Sequence, residues 1–356
     1  DLFDVFLKPC ITYLKKEGKF TVEKVFPITF VVAFCKLLEA YIEKKDACVP
    51  KNKKKQTRAD DEIYPGYDLL FCFCAIWSMG AILSDKDGED HRRKFSDWFR
   101  GQFKQFRIPN KGTIFDYYVV MDQEKQENCK FEEWNKKITE IEYHPSENIR
   151  YVTVPTSETV SVSEIMEKLL AIGHPTLLIG MAGCGKTQIA RGMLETARIK
   201  GKGVNFAYVT VNFNYYSDTY IVQSVLKENT QKKFGNTFGP KNDPKLMAIF
   251  VDDLNMQQLD RCLTQNAIEL IRQFMDYKHI YECAKMELME FVQIQFIAAM
   301  NPTAGSFNIN PRLQRHFWIC SIPFPSDDNI RTIFQFFLTH HFERFHQSIQ
   351  EIAKGL

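Results

Sequence analysis

Apolar residues follow two different patterns along this chain, and the change between them falls near residue 152. Before that point they recur at helical spacing, and an aromatic stripe within 92–106 is typical of a helix packed into a core. After it, short runs of β-type residues alternate with helical stretches, which predicts a parallel sheet with crossover helices. The predicted strands span residues 176–179, 206–211, 246–251, 295–299 and 317–322.

The same patterns divide the chain into four segments. Residues 1–110 are predicted to be helical, with Leu69–Leu83 as a buried helix, and residues 111–150 are predicted to form an irregular connector. Residues 151–325 carry the five predicted strands, and residues 326–356 begin another helical segment. We therefore expect a helical domain, a connector, and an α/β domain with a five-stranded parallel sheet and flanking helices.

Composition limits the possible partners. A chain of 356 residues suggests about two domains, and its net charge of +2 gives no preference for nucleic acid or an acidic membrane. The most apolar segment, Leu69–Leu83, is shorter than the roughly 20 residues that a membrane span requires. Ten cysteines without a C-x-x-C pair favour reduced thiols in the cytosol. We expect no nucleic-acid or membrane partner, and the missing initial methionine indicates a piece of something larger.

A phosphate-binding motif follows the first predicted strand. Residues 180–187 read Gly-Met-Ala-Gly-Cys-Gly-Lys-Thr and fit the pattern G-x-x-x-x-G-K-[ST] at every fixed position. Gly180, Gly183 and Gly185 would let backbone N–H groups point inward, and the helix that follows adds positive potential. Lys186 would reach the outer phosphates, and the hydroxyl of Thr187 would hold Mg²⁺. The alternative, an ordinary glycine turn, becomes less favoured once the further motifs are considered.

Two carboxylates end the third predicted strand. Asp252 lies where nucleotide-hydrolysing proteins of this kind anchor Mg²⁺, although strands also end in aspartate at ordinary turns. Asp253 occupies the position at which many hydrolysing relatives place a glutamate that orients the attacking water. Aspartate is one methylene shorter, and a misplacement of about 1 Å can cost about 10²-fold in rate. We therefore expect slow hydrolysis, with binding as the main task.

Three more polar residues are candidates for catalysis. Asn301 follows the fourth predicted strand and is placed to hydrogen-bond the γ-phosphate or the attacking water; the alternative is a plain Asn-Pro turn. Arg312 and Arg315 lie one helical turn apart before the fifth strand. Arginines there are suited to act in trans on a neighbour's nucleotide, whereas the alternative is an exposed helix surface.

These motifs together resemble the α/β P-loop NTPase fold of the AAA+ type. Several phrases are more specific and look like dynein heavy chains, most closely the third AAA+ module of axonemal heavy chains of the outer-arm type. The resemblance covers nearly the whole chain. The phrases span Ala75–Ala81, Gly112–Tyr118, Val154–Thr159, Phe213–Tyr216, Phe250–Met256 and Asn301–Phe307.

The resemblance implies an arrangement and a role. Residues 1–110 would be the helical lid of the second AAA+ module, 151–325 the large part of the third, and 326–356 the start of its lid. The cofactors would be ATP or ADP with Mg²⁺, with Val154 and Thr156 near the adenine and Asn214 as a polar switch. The partners would be neighbouring modules of the same chain and, through the full-length protein, microtubules and other dynein subunits. The implied location is the axoneme of a cilium or flagellum.

Alternatives to a regulatory module of a minus-end-directed microtubule motor remain at this point. One is a freestanding AAA+ remodelling enzyme that hydrolyses ATP as a homo-oligomer. Another is a structural ring segment that holds its nucleotide permanently. A small-molecule P-loop kinase is less favoured, because no arginine-rich lid follows the sheet. We expect ATPase activity as part of the full heavy chain and slow or no hydrolysis by this chain alone.

Overall fold

The computed structural model describes most of the chain. The described residues are 2–21, 25–42, 66–84, 89–121, 129–139, 152–200, 206–242, 244–302, 308–343, 345–347 and 350. Residues 303–307, which complete the Asn301–Phe307 phrase, lie outside these ranges, and so does much of the predicted connector.

The first part of the chain is helical, as its spacing of apolar residues predicts. Its helices are α1 (Leu2–Glu17), α2 (Pro27–Ile42), α3 (Tyr67–Ala75) and α4 (His91–Gln102). The helix predicted over Leu69–Leu83 is buried, but its second half, Ile76–Gly80, winds as a π-helix and the helical structure ends there. We refer to α1–α4 and the π-helix as the helical domain.

The predicted aromatic stripe is the core of this helical domain. Phe6 of α1 packs against the rings of Phe99, Phe103 and Phe106 with centroid separations of 6.5, 5.0 and 5.1 Å. α4 ends at Gln102, so the last two of these rings come from the turn that follows the helix. The stripe therefore serves packing, as expected of aromatic side chains at helical spacing.

The connector is more ordered than its sequence predicts. It contains an antiparallel hairpin of β1 (Tyr117–Val120) and β2 (Lys130–Glu133), with Tyr117 opposite Glu133. Trp134, directly after β2, is 1% exposed. The expectation of an irregular segment was wrong for these residues because strands of four residues give too short an alternation to stand out.

The remaining elements form the α/β part of the chain. They are α5 (Ser157–Ala171), β3 (Thr176–Ile179), α6 (Lys186–Lys200), β4 (Phe206–Asn212), α7 (Thr219–Asn229), β5 (Thr230–Phe234), β6 (Thr237–Pro240), β7 (Leu246–Asp252), α8 (Asn266–Tyr277), β8 (His279–Tyr281), β9 (Leu288–Phe291), β10 (Ile294–Met300), α9 (Pro311–Gln314), β11 (Trp318–Ser321) and α10 (Asp327–Phe342).

The main sheet is parallel and has the strand order β11–β3–β10–β7–β4. Its five strands are those predicted from the sequence, with ends that differ by one residue at most. Every residue of β3 and β10 is buried, which explains why these strands are continuous apolar runs without alternation. Because all five strands run the same way, their carboxyl ends meet at one edge of the sheet, where open α/β sheets bind ligands.

A second, mixed sheet of order β5–β6–β9–β8 was not predicted. It is built from a hairpin after α7 and another after α8, and Phe291 of β9 packs against Phe238 and Phe274 at 5.9 and 5.7 Å. Its strands have three to five residues, and several of their side chains are exposed. Short, polar strands of this kind lack the apolar runs that identify the main sheet.

The helical domain is joined to the edge of the main sheet at β11. The Ser321 N–H donates to the Ala81 carbonyl at 2.7 Å, and the Trp318 indole N–H donates to the Trp77 carbonyl at 3.1 Å. Arg92 of α4 donates to the Ser321 carbonyl at 3.2 Å. The first part of the chain therefore covers the outer side of this edge strand. None of the described helices is long and apolar enough to cross a bilayer.

Candidate functional site

The phosphate loop connects β3 to α6 at the carboxyl edge of the sheet. Gly183 and Gly185 have φ angles of +85° and +90°, a conformation that side chains with a Cβ rarely adopt. Gly180 is required for a different reason, because a Cβ there would lie 2.5 Å from the Ile322 carbonyl oxygen. The loop therefore has the glycines and the helix N-terminus that an anion site needs.

Lys186, the first residue of α6, lies over this loop. Its ammonium donates to the carbonyl oxygens of Gly180 and Met181, each at 2.8 Å, and the residue is 7% exposed. Buried lysines are rare unless they are paired. Here the positive charge is held by backbone carbonyls within the loop, so it lies where an anion bound to the loop would meet it.

Thr187 and Asp252 meet at the same place. The Thr187 hydroxyl donates to Oδ2 of Asp252 at 2.8 Å, although the two residues are 65 positions apart. Asp252 is the last residue of β7 and is 9% exposed. The structure thus brings together the hydroxyl and the carboxylate that the sequence marked as Mg²⁺ ligands.

Asp253 continues from β7 with an unusual backbone. Its φ is +54°, and its N–H donates to Oδ1 of Asp252 at 3.2 Å. The side chain reaches solvent, yet partial desolvation and the neighbouring Asp252 carboxylate raise its pKa, while Lys186 acts in the opposite direction. Asp253 is therefore close to the charges of the loop, and aspartate is one of the residue types that tolerate a left-handed backbone.

Asn301 directly follows β10, the strand that lies between β3 and β7. Its carbonyl oxygen accepts from the Asn255 side chain at 2.7 Å, and the Met300 carbonyl before it accepts from the Gly180 N–H at 3.3 Å. The residue is therefore at the same edge as the phosphate loop and Asp252. Asn214, after β4, uses its side-chain oxygen to accept from the Tyr216 N–H at 2.9 Å, which engages it in its own turn.

The two arginines behave differently from each other. Arg315, at the end of α9, donates to the Asp276 carboxylate of α8 at 2.6 Å, and Arg312 is exposed. His316 also contacts Asp276, at 2.9 Å. Burial alone would raise the pKa of Asp276, but Arg315 and His316 outweigh it and hold this pKa below its usual value. Arg315 thus belongs to a salt-bridge cluster on α8 and α9, and half of its side chain is open to solvent.

A cavity of about 650 Å³ extends from the phosphate loop and has the size of a small-molecule site. Val154 and Thr156 line it together with Gly183 and Gly185. Both are buried, and Thr156 also caps α5 by accepting from the Thr159 N–H at 3.3 Å. The structure therefore places these two residues in the same cavity as the glycines of the phosphate loop, and their position near an adenine stays a prediction.

Sequence reasoning missed several polar residues that line the same cavity, among them Arg92, Glu158 and Asn329. These three come from α4, α5 and α10, so nothing in their spacing along the chain connects them. Glu158 lies within the Val154–Thr159 phrase and offered a signal there, but its burial was not visible. The other two have no local motif.

Comparison with known proteins extends these observations. Residues 141–325 match the family model of the P-loop containing dynein motor region, and residues 1–136 match that of the dynein heavy chain AAA lid domain. The chain is 37% identical to dynein axonemal heavy chain 9 of Homo sapiens over 98% of its own length. Identity is 36% over 96% of the chain for a ciliary dynein beta chain of Heliocidaris crassispina. It is 33% over 99% for the flagellar outer arm dynein alpha chain of Chlamydomonas reinhardtii. The chain spans 7% of the length of each of these relatives.

Proposed function

The chain belongs to the dynein heavy-chain family, and on that basis we propose that it is a regulatory AAA+ module that binds ATP or ADP. The observation that carries the proposal is the hydrogen bond between Thr187 and Asp252 at the end of the phosphate loop, 2.8 Å long. The parent protein would be a ciliary dynein heavy chain, a minus-end-directed microtubule motor of the axoneme. Its neighbouring modules, microtubules and other dynein subunits would be the partners.

The residues present fit a nucleoside triphosphate with Mg²⁺. The loop N–H groups and Lys186 would hold the phosphates, since the ammonium bonds the carbonyl oxygens of Gly180 and Met181 and the sulfur of Cys184, and a phosphate offers it a stronger acceptor. Thr187 and Asp252 supply oxygen atoms of the kind that Mg²⁺ prefers. When bound, the metal ion neutralises charge on the phosphates. Val154 and Thr156 would lie against the adenine, in the cavity that adjoins the loop.

Slow hydrolysis follows from the residue at position 253. A general base must come within hydrogen-bonding distance of the water that it activates. Asp253 has the required carboxylate, but its side chain is one methylene shorter than the glutamate of fast hydrolysers, and Asn301 would share the task of orienting the water. We therefore assign the site a binding and regulatory role, with hydrolysis as a slow step.

Arg315 and Arg312 would serve a neighbouring module rather than this one. Arg315 is held on α9 by Asp276, with 49% of its side chain exposed. A guanidinium that one carboxylate holds in place, and that is half exposed to solvent, is suited to stabilise phosphate charge across an interface. The complete catalytic set of each site would then come from two modules, which gives a second reason for slow turnover in the separate chain.

Between the alternatives, one observation opposes a freestanding homo-oligomeric enzyme. The match to an AAA lid domain covers residues 1–136, and the match to the motor region follows it at residues 141–325. This order is that of two successive modules in one polypeptide. A structural segment that holds its nucleotide permanently would use the same site. It would differ from a regulatory module only in the rate at which the bound nucleotide exchanges.

The proposal is tested by nucleotide binding and turnover of the full 356-residue chain. Calorimetry is expected to give micromolar or tighter binding of ATP and ADP, and Lys186→Ala should weaken it by at least about tenfold. The control is Lys285→Ala, an exposed lysine far along the chain. Steady-state hydrolysis should stay below roughly 1 s⁻¹, the low end of enzyme turnover.

Three outcomes would change the proposal. Absence of binding would refute nucleotide recognition, and fast turnover by the separate chain would refute the regulatory role. Retention of ADP through extensive dialysis would favour the structural alternative.

A further inference from the structure

The cavity beside the phosphate loop is lined by polar residues from both parts of the chain. Arg92 comes from α4 of the helical domain, Glu158 from the first turn of α5, and Asn329 from the first turn of α10. These residues lie in segments 66 or more positions apart. Three separate elements therefore place polar groups in the lining of the cavity that adjoins the phosphate loop.

Two contacts hold Arg92 in the lining of this cavity. One guanidinium nitrogen donates to the Ser321 carbonyl at 3.2 Å, and the group lies 4.4 Å from the centre of the Phe115 ring. Its Nε–H is buried and has no hydrogen-bond partner among the described residues. Leaving a buried donor unpaired is unfavourable. The Arg92 guanidinium is thus held in place in the lining of the cavity.

Glu158 lines the same cavity as Arg92. Burial raises the pKa of the Glu158 carboxyl, the positive charge of Arg92 lowers it, the Asp116 charge raises it, and the nearby Asn329 amide lowers it. An ionised carboxylate has about four lone-pair positions. A nearby cation and a nearby amide leave acceptor capacity on the Glu158 carboxylate, and the residue lines the cavity.

Charge determines which end of a nucleotide can lie beside Glu158. Phosphates bind at the loop, where Lys186 and the start of α6 supply positive potential. A carboxylate repels phosphates, so the end of the cavity that Glu158 lines suits the uncharged nucleoside. The groups of a nucleoside that can donate to a carboxylate are the ribose hydroxyls and the amino group of the base.

We propose that Glu158 is a specificity-determining residue that accepts a hydrogen bond from the nucleoside, and that Arg92 of the helical domain positions it. This inference rests on the proposed nucleotide site and adds the group that selects among nucleotides. It also makes the affinity of the α/β domain depend on a residue of the lid segment that precedes it. Docking of that segment against β11, through Arg92 and Ser321, then becomes part of nucleotide recognition.

The test compares nucleotide analogues by calorimetry on the full chain. ADP is compared with 2′-deoxy-ADP, 3′-deoxy-ADP and inosine diphosphate, which lack one ribose hydroxyl each or the base amino group. The chain should bind at least one analogue about tenfold more weakly than ADP, because a hydrogen bond to a charged acceptor is lost. The analogue that loses affinity identifies the donor. Equal affinity for all four nucleotides would overturn the inference.

Variants connect this preference to the named residues. Glu158→Leu should weaken ADP binding by about tenfold and abolish the preference, whereas Glu167→Gln, on the same helix but away from the cavity, should change neither. Glu158→Gln keeps the shape and should show a reduced preference, which preserves the test if the leucine variant does not fold. An unchanged preference in the glutamine variant and in any folded leucine variant would overturn the role of Glu158.

Arg92→Lys separates a positioning role from a purely structural one. It should reduce the preference between ADP and the discriminated analogue, whereas loss of structure alone would lower both affinities together. Arg93→Lys, at the exposed neighbouring position, is the matched control. If the Glu158 and Arg92 variants behave as the unmodified chain while Lys186→Ala still weakens binding, this inference fails and the proposed function stands. If Lys186→Ala has no effect, the proposed function itself fails.

Discussion

The Thr187 hydroxyl donates a hydrogen bond to the Asp252 carboxylate at 2.8 Å and so links the start of α6 to the end of β7. A hydroxyl and a carboxylate held this way are preorganised for one cation, because the two oxygens are already close enough to bind the same ion. The arrangement exists in the protein chain itself, so binding of Mg²⁺ requires a change of partners rather than a rearrangement of strands.

The first prediction concerns the metal. Thr187→Val should remove most of the dependence of ATP affinity on Mg²⁺, because the variant keeps the size of the side chain but lacks the oxygen. We expect chelation of Mg²⁺ to weaken ATP binding about tenfold in the unmodified chain and less than about twofold in the variant. Calorimetry with and without EDTA measures both. Thr187→Ser, which keeps the hydroxyl, is the control, and a valine variant with the full Mg²⁺ effect would exclude Thr187 as a ligand.

The second prediction concerns Asp253. Asp253→Glu should raise the single-turnover rate of ATP hydrolysis several-fold, because the carboxylate would reach further toward the water; a change of about 1 Å is worth up to about 10²-fold. The same change should lower the free energy of unfolding by about 1 kcal/mol, since φ is +54° at this position and glutamate tolerates it less well than aspartate.

Asp253→Asn provides the matching control for this experiment. It keeps the backbone preference and removes the base, so stability should be retained and hydrolysis should fall below that of the unmodified chain. Rapid-quench measurements and urea titrations separate the two effects. Equal hydrolysis rates in the unmodified chain, Asp253→Glu and Asp253→Asn would show that Asp253 does not take part in the reaction.

The third prediction concerns the cluster of α8 and α9. Asp276 accepts from Arg315 at 2.6 Å and from Arg272 at 2.8 Å, and its side chain is 11% exposed. Asp276→Asn should lower the free energy of unfolding by about 1–3 kcal/mol, because it leaves two cations with a weaker acceptor. Arg315→Ala should also destabilise the chain, and the two changes together should cost less than their sum.

Arg312→Ala is the natural comparison for Arg315→Ala. Arg312 is exposed on the same short helix, so its removal should stay within about 0.5 kcal/mol. The double-mutant cycle requires guanidinium chloride unfolding curves of four proteins: the unmodified chain, Asp276→Asn, Arg315→Ala and the variant with both changes. Strictly additive effects of the Asp276 and Arg315 changes would show that their contact contributes nothing to stability.

The fourth prediction concerns pH. Burial lowers the pKa of His174 to about 4, while an unfolded histidine titrates near 6.5. Its contribution to stability is therefore complete above pH 6.5 and is lost as the pH falls toward 4, because only the unfolded chain takes up the proton. His174→Leu should reduce the loss of stability between pH 7.5 and pH 5.5 by about 1 kcal/mol.

Thermal and urea unfolding at the two pH values measure this difference. His341→Leu, a change at an exposed histidine, should leave the pH dependence as it is. An identical pH dependence in the His174 variant and the unmodified chain would show that His174 is protonated to the same extent in both states.

The sequence predicts the main sheet and the phosphate loop because both depend on local patterns. β3 and β10 are continuous apolar runs, and the loop is a fixed spacing of glycines, lysine and threonine. The meeting of Thr187 with Asp252 also follows, since parallel strands bring their carboxyl ends to one edge. These features need no knowledge of distant contacts.

Other parts depend on tertiary contacts and are invisible in the sequence. Arg92 reaches the cavity only because α4 packs beside β11, and Arg315 meets Asp276 only because α8 and α9 are neighbours. The second sheet is held by Phe238, Phe274 and Phe291 from three elements, while its strands are too short to be recognised one at a time. Spacing along the chain carries no signal for contacts of this kind.

The bond from Ser321 to Ala81 has a consequence for the chain as it is synthesised. β11 ends the main sheet, and an uncovered edge strand is a ready template for pairing with a second molecule. The helical domain precedes β11 in the chain, so it leaves the ribosome earlier and is available as a cover before that edge is made. A protein cut between residues 139 and 152 would expose the edge, and the larger piece is expected to aggregate where the intact chain remains monodisperse.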